Sequence, residues 1–168
     1  MRPFTILLLI LSGLTARPQF FDDFSDGDFT ANPTWQGESA KFMVNATKQL
    51  QLNDPVGTDV AHLSVPVLMA DSTTWEFYFK LNFAPSANNR VRIYLQSDNP
   101  DLEGSLHGYY IQVGVSGSSD GFDLYRQNGT TSTLLAAGIA GHGASNPQAR
   151  MRIVRDPQGH WTVYSDLN

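Results

Sequence analysis

Beyond its amino-terminal segment the chain places apolar side chains at every second position. Trp75, Phe77, Phe79, Leu81 and Phe83 alternate with Thr74, Glu76, Tyr78, Lys80 and Asn82, the period of a strand with one buried face. Val91, Ile93 and Leu95 alternate with Arg90, Arg92, Tyr94 and Gln96, and Tyr109, Ile111, Val113 and Val115 with Tyr110 and Gln112. Phe122 and Leu124 predict a shorter strand, and Asn128-Gly129 a hairpin turn into 131–135, because both residues tolerate positive φ. Met151 and Ile153, the turn Asp156-Pro157-Gln158-Gly159, then Trp161 and Val163 predict another hairpin. A short pair is expected over 41–45 and 49–53, joined at Ala46-Thr47, and a first strand over 20–24. With no convincing amphipathic helix, the reading is an all-β, antiparallel two-sheet β-sandwich.

The amino terminus follows a different pattern. Met1-Arg2 precedes the apolar run Phe4–Leu11, which is closed by Ser12-Gly13-Leu14-Thr15-Ala16. Charge, apolar run and small residues in that order predict a signal peptide over residues 1–16, followed by one domain over 17–168. The run is well under the ~20 residues a spanning helix needs, so no membrane insertion is expected once the leader is removed. Export to the medium or the cell surface follows. The chain has no cysteine, which in an exported protein points toward a bacterial source. Its formal charge of −5 argues against a partner bound through phosphates, whether nucleic acid or anionic membrane. The last strand runs almost to Asn168 with nothing after it to pair with 20–24, so the reading is a domain truncated at its carboxyl end, lacking its closing strand.

The segment Phe21-Asp22-Asp23-Phe24-Ser25-Asp26-Gly27-Asp28-Phe29, with Pro33-Thr34-Trp35 after it, resembles the amino-terminal domain of large exported bacterial proteins carrying lamin-tail-type and surface-attachment modules. Phe42-Met43-Val44-Asn45, Gln49-Leu50-Gln51-Leu52, Ser97-Asp98-Asn99-Pro100-Asp101-Leu102, Leu124-Tyr125-Arg126-Gln127-Asn128-Gly129 and Trp161-Thr162-Val163-Tyr164-Ser165-Asp166 extend the resemblance over nearly all of 17–168. It implies a concanavalin A-like jelly roll, similar to lectins and glucanases, with covalently linked domains downstream. The fold alone says little about the ligand.

Glucanases of this fold use two carboxyl groups flanking the scissile bond. Glu38, Glu76 and Glu103 lie on separate segments, and no Glu-x-Asp-x-x-Glu spacing occurs. His62, His107, His142 and His160 are dispersed and read as surface or turn residues. Neither a nucleophile elbow nor a phosphate-binding glycine loop is present. The expectation is therefore a non-catalytic recognition or adhesion module, with a ligand-free spacer as the alternative and part of a glycoside hydrolase as the weaker one. Two candidate sites remain. Asp22, Asp23, Asp26 and Asp28 crowd around Gly27 and could offer hard oxygen ligands to a structural calcium ion, or form a solvated acidic turn. Strand parity points Tyr78, Arg92, Tyr94, Gln96, Tyr110 and Gln112 away from the core, where tyrosine rings could stack on a polysaccharide and the polar groups bond its hydroxyls. Tyrosine is equally a good strand former on a solvated sheet, and parity does not say whether these strands adjoin.

Overall fold

The computed structural model describes residues 20–54, 57, 59–117 and 119–167; the expected signal peptide lies outside them. Among the described residues, eleven strands and one short 3₁₀ turn make up the regular structure. The larger elements are β5 (Thr73–Lys80), β6 (Val91–Ser97), β7 (Leu106–Val113), β8 (Asp123–Gly129), β9 (Thr131–Ala136), β10 (Gln148–Arg155) and β11 (Trp161–Asp166). Before them come the short strands β1 (Gln36–Gly37), β2 (Phe42–Val44), β3 (Leu50–Leu52) and β4 (Leu63–Ser64).

The long strands form two antiparallel sheets, one ordered β6-β7-β8-β9 and the other β11-β10-β5. The alternation that predicted them holds them together. Ile111, Val113 and Leu124 of one sheet pack with Ala149, Met151 and Ile153 of the other in a single buried cluster, joined by Leu95 of β6 and by Phe122. Trp75, Phe77, Phe79, Trp161 and Val163 close the cluster from the three-stranded sheet. Each such side chain contributes about 1.5–3 kcal/mol when taken fully out of water. The chain is thus all-β, with the facing sheets of a β-sandwich. Trp161 stacks on Trp75 at 5.4 Å and on Tyr109 of β7 at 4.8 Å, so three rings bridge the sheets. Beside them, between β9 and β11, a groove of about 460 Å³ opens onto Phe122, Leu124, Leu135, Ile139, Trp161 and Val163.

Several expected boundaries move. β5 stops at Lys80; Leu81 still packs on the core, but Phe83 is exposed. The β8–β9 turn falls on Gly129-Thr130, because Asn128 pairs with Thr131 and Gly129 takes the positive φ of 64°. The segment from Phe20 to Phe24 is not a strand. Asp22 accepts the Phe24 amide at 2.9 Å and the Trp35 indole N–H at 2.8 Å, and Phe20 and Phe24 pack at 5.7 Å and 6.0 Å from the Trp35 ring. These local bonds turn the chain before it can join a sheet edge.

Candidate functional site

The six residues that parity placed outside the core fall into two groups. Tyr78 belongs to the three-stranded sheet. There Tyr78, Arg150 and Asp166 lie in one cross-strand row, and Glu76, Arg152 and Tyr164 in another. Opposed side chains on one face are close enough to touch. Arg152 Nε is 3.4 Å from Glu76 Oε1, and its guanidinium is 5.8 Å from the centre of the Tyr164 ring. The Arg150 guanidinium stands 5.9 Å from the Tyr78 ring, whose hydroxyl donates to Gln148 Oε1 at 3.3 Å. Tyr78 is 41% exposed and Tyr164 53%. Both border a shallow groove of about 460 Å³. Its chemistry is aromatic rings with charged donors and acceptors between them.

Arg92, Tyr94, Tyr110 and Gln112 come together on the outer face of the four-stranded sheet. Tyr94, Tyr110 and Tyr125 lie side by side across β6, β7 and β8, with ring centres 5.0 Å and 5.3 Å apart. Arg92 folds over the middle ring at 4.9 Å and donates from Nε to Gln112 Oε1 at 3.0 Å. Tyr94 donates its hydroxyl to Gln127 Oε1 at 2.6 Å, and Gln127 Nε2 donates to the carbonyls of Gly104 and Gly129. Tyr110 is 0% exposed, so its ring has no face to offer a sugar. Burial pushes the Tyr94 and Tyr125 phenols above their ordinary value because it disfavours the charged form. Gln96 leaves the row. A register shift between Tyr94 and Gln96 sets Gln96 opposite Tyr109, a core-side residue, as an extra residue in one strand does. Tyr125 and Gln127 were missed, although the parity of Leu124 would have pointed to them.

A third constellation was not anticipated. Glu38 and His62 sit where β1 and β4 pair, with the Glu38 amide donating to the His62 carbonyl at 3.1 Å and the His62 amide donating to Glu38 Oε2 at 2.8 Å. That second bond holds the Glu38 carboxyl below the usual carboxylate range. Gly37 makes the approach possible, since a Cβ there would overlap the His62 carbonyl oxygen. Glu103 arrives from the β6–β7 loop, and its Oε1 is 3.5 Å from His62 Nδ1, while Glu38 Oε2 is 3.2 Å from the same atom. Glu38 and Glu103, on separate segments of the sequence, are thus brought together around His62. Both oxygens contact one imidazole nitrogen. His107, on β7, and His160, after the β10–β11 turn, are exposed, as expected of surface residues, and pair with Asp98 and Asp156, whereas the His62 side chain is 16% exposed.

The four aspartates near the amino terminus act locally. Asp22, Asp23, Asp26 and Asp28 each accept the backbone amide two residues further on, the geometry of an Asx turn. No three of their carboxylates converge: among the described residues Glu38, His62 and Glu103 are the one His/Asp/Glu group with ligand atoms all within 4.8 Å of one another. Compared with protein families, curated proteins and solved structures, the chain matches none.

Proposed function

We propose that this domain is a non-catalytic recognition module of an exported surface protein, built as a concanavalin A-like jelly roll, and that it binds a glycan on the outer face of the three-stranded sheet. The observation that supports this reading is the pair of exposed rings, Tyr78 and Tyr164, bordering one groove with Arg150 and Arg152 between them. Apolar C–H faces of sugars stack on such rings, and guanidinium and carboxylate groups bond the hydroxyls. The tyrosine layer of the other sheet serves as a structural counterpart, because its polar groups are largely bonded to one another.

A glycan array followed by titration calorimetry tests the proposal. The wild-type domain is expected to bind, and Tyr78→Ala and Tyr164→Ala each to weaken binding by about tenfold, the worth of one aromatic contact. No binding by the wild type, or binding indifferent to both changes, removes the glycan site and leaves the spacer reading.

A further inference from the structure

We propose that Glu38, His62 and Glu103 form a binding site for a divalent transition-metal ion of zinc's class, which ties the β1–β4 pair to the β6–β7 loop. The three ligand atoms all lie within 4.8 Å of one another, and the two distances from the imidazole nitrogen suit a ligand set. Tetrahedral zinc with arms of about 2.0–2.1 Å has ligand atoms about 3.3 Å apart, and His62 Nδ1 lies 3.2 Å from Glu38 Oε2 and 3.5 Å from Glu103 Oε1. A ring N–H at those distances is within reach of a carboxylate, yet the buried Nδ1 has no hydrogen-bond partner among the described residues. With its lone pair toward the carboxylates, the nitrogen and the two oxygens repel, and a cation among them reverses the sign.

The surroundings hold these atoms in place. Glu38 Oε2 also accepts the His62 amide, a bond that orients a ligating carboxylate. The Glu103 amide donates to Asp101 Oδ1 at 3.0 Å, and the carbonyl of the next residue, Gly104, accepts from Gln127. An imidazole nitrogen in the set favours zinc, cobalt or nickel over calcium and magnesium, which take oxygen. Three protein ligands leave a fourth position for water or a ligand atom.

The test is titration of the metal-stripped domain with Zn²⁺ by calorimetry, and with Co²⁺ by visible absorption. One equivalent of Zn²⁺ is expected to bind and raise the melting temperature, Co²⁺ to give the intense bands of a tetrahedral site, and Ca²⁺ not to compete. Glu103→Gln is the first variant, because Glu103 is exposed at the loop surface and its metal-free melting temperature reports whether the fold is intact. It should weaken Zn²⁺ binding by about tenfold or more, and His62→Gln should abolish it. The double variant His107→Ala/His160→Ala, which removes the two exposed His–Asp pairs, should bind like the wild type. Failure to take up one equivalent, uptake unchanged by Glu103→Gln and His62→Gln, or uptake lost in the double variant would each overturn the site.

Discussion

Within the tyrosine layer, neighbouring hydroxyls have opposite circumstances, and one chemical change should therefore have opposite effects. The Tyr110 hydroxyl is buried with no hydrogen-bond partner among the described residues, a condition that costs about 1–3 kcal/mol. Tyr110→Phe is expected to leave stability unchanged or to raise it. Tyr94→Phe removes the donor to Gln127 Oε1, and because Gln127 is buried the loss should be about 1–3 kcal/mol. Urea denaturation of the two variants checks this pair, and equal losses would show that the Tyr110 hydroxyl is bonded after all. The outward parity of Tyr94 and Tyr110 is legible in the alternation of their strands. The burial of Tyr110 is not, since it depends on Tyr125 across β8 and on Arg92 folding over the ring. His62 reads as an isolated histidine for the same reason: Glu38 and Glu103 reach it from distant parts of the chain.

At the level of elements, the strands whose inner face meets the opposite sheet are the ones that sequence pattern reveals. Trp75, Phe77 and Phe79 on β5 and Met151 and Ile153 on β10 alternate because one face of each strand is in the core. The bulge on β6 leaves no such mark. One extra residue between Tyr94 and Gln96 changes which side Gln96 takes without changing composition. Phe20 to Phe24 misleads in the other direction: its aromatic residues suit a strand, but the bonds of Asp22 to Phe24 and Trp35 turn it. The ring stack of Trp75, Trp161 and Tyr109 joins elements of both sheets, so Trp161→Ala should cost about 3–5 kcal/mol. Its effect should be global, lowering hydrogen-exchange protection in β5, β7 and β10 together. A loss confined to β11 would show that the two sheets are held without the stack.

For the whole molecule, titration sets the limits of stability. The carboxyls of Asp23, Asp28, Glu38, Asp59, Asp98 and Asp156 are held below their ordinary values of 3.8 for Asp and 4.5 for Glu, chiefly by hydrogen bonds they accept. A carboxyl whose folded value is depressed adds stability above its unfolded value and loses it as pH falls through the folded one. Most of these groups are surface residues, where solvent screens the gain, so the acid limb should be shallow. The phenols of Tyr94 and Tyr125 are raised above 10.0 by burial. The fold prefers them neutral, and their contribution is complete below 10.0 and lost as pH rises through the folded values. Lys41, raised above 10.5 by its bond to Asp59, acts in the same direction. Urea midpoints should therefore hold steady from about pH 5 to about pH 9 and fall on both sides. The cause of the alkaline limb can be isolated. In a Tyr94→Phe/Tyr125→Phe variant the decline above pH 10 should shrink, while the acid limb stays as it was. An alkaline limb of unchanged depth would mean that the buried phenols do not govern it.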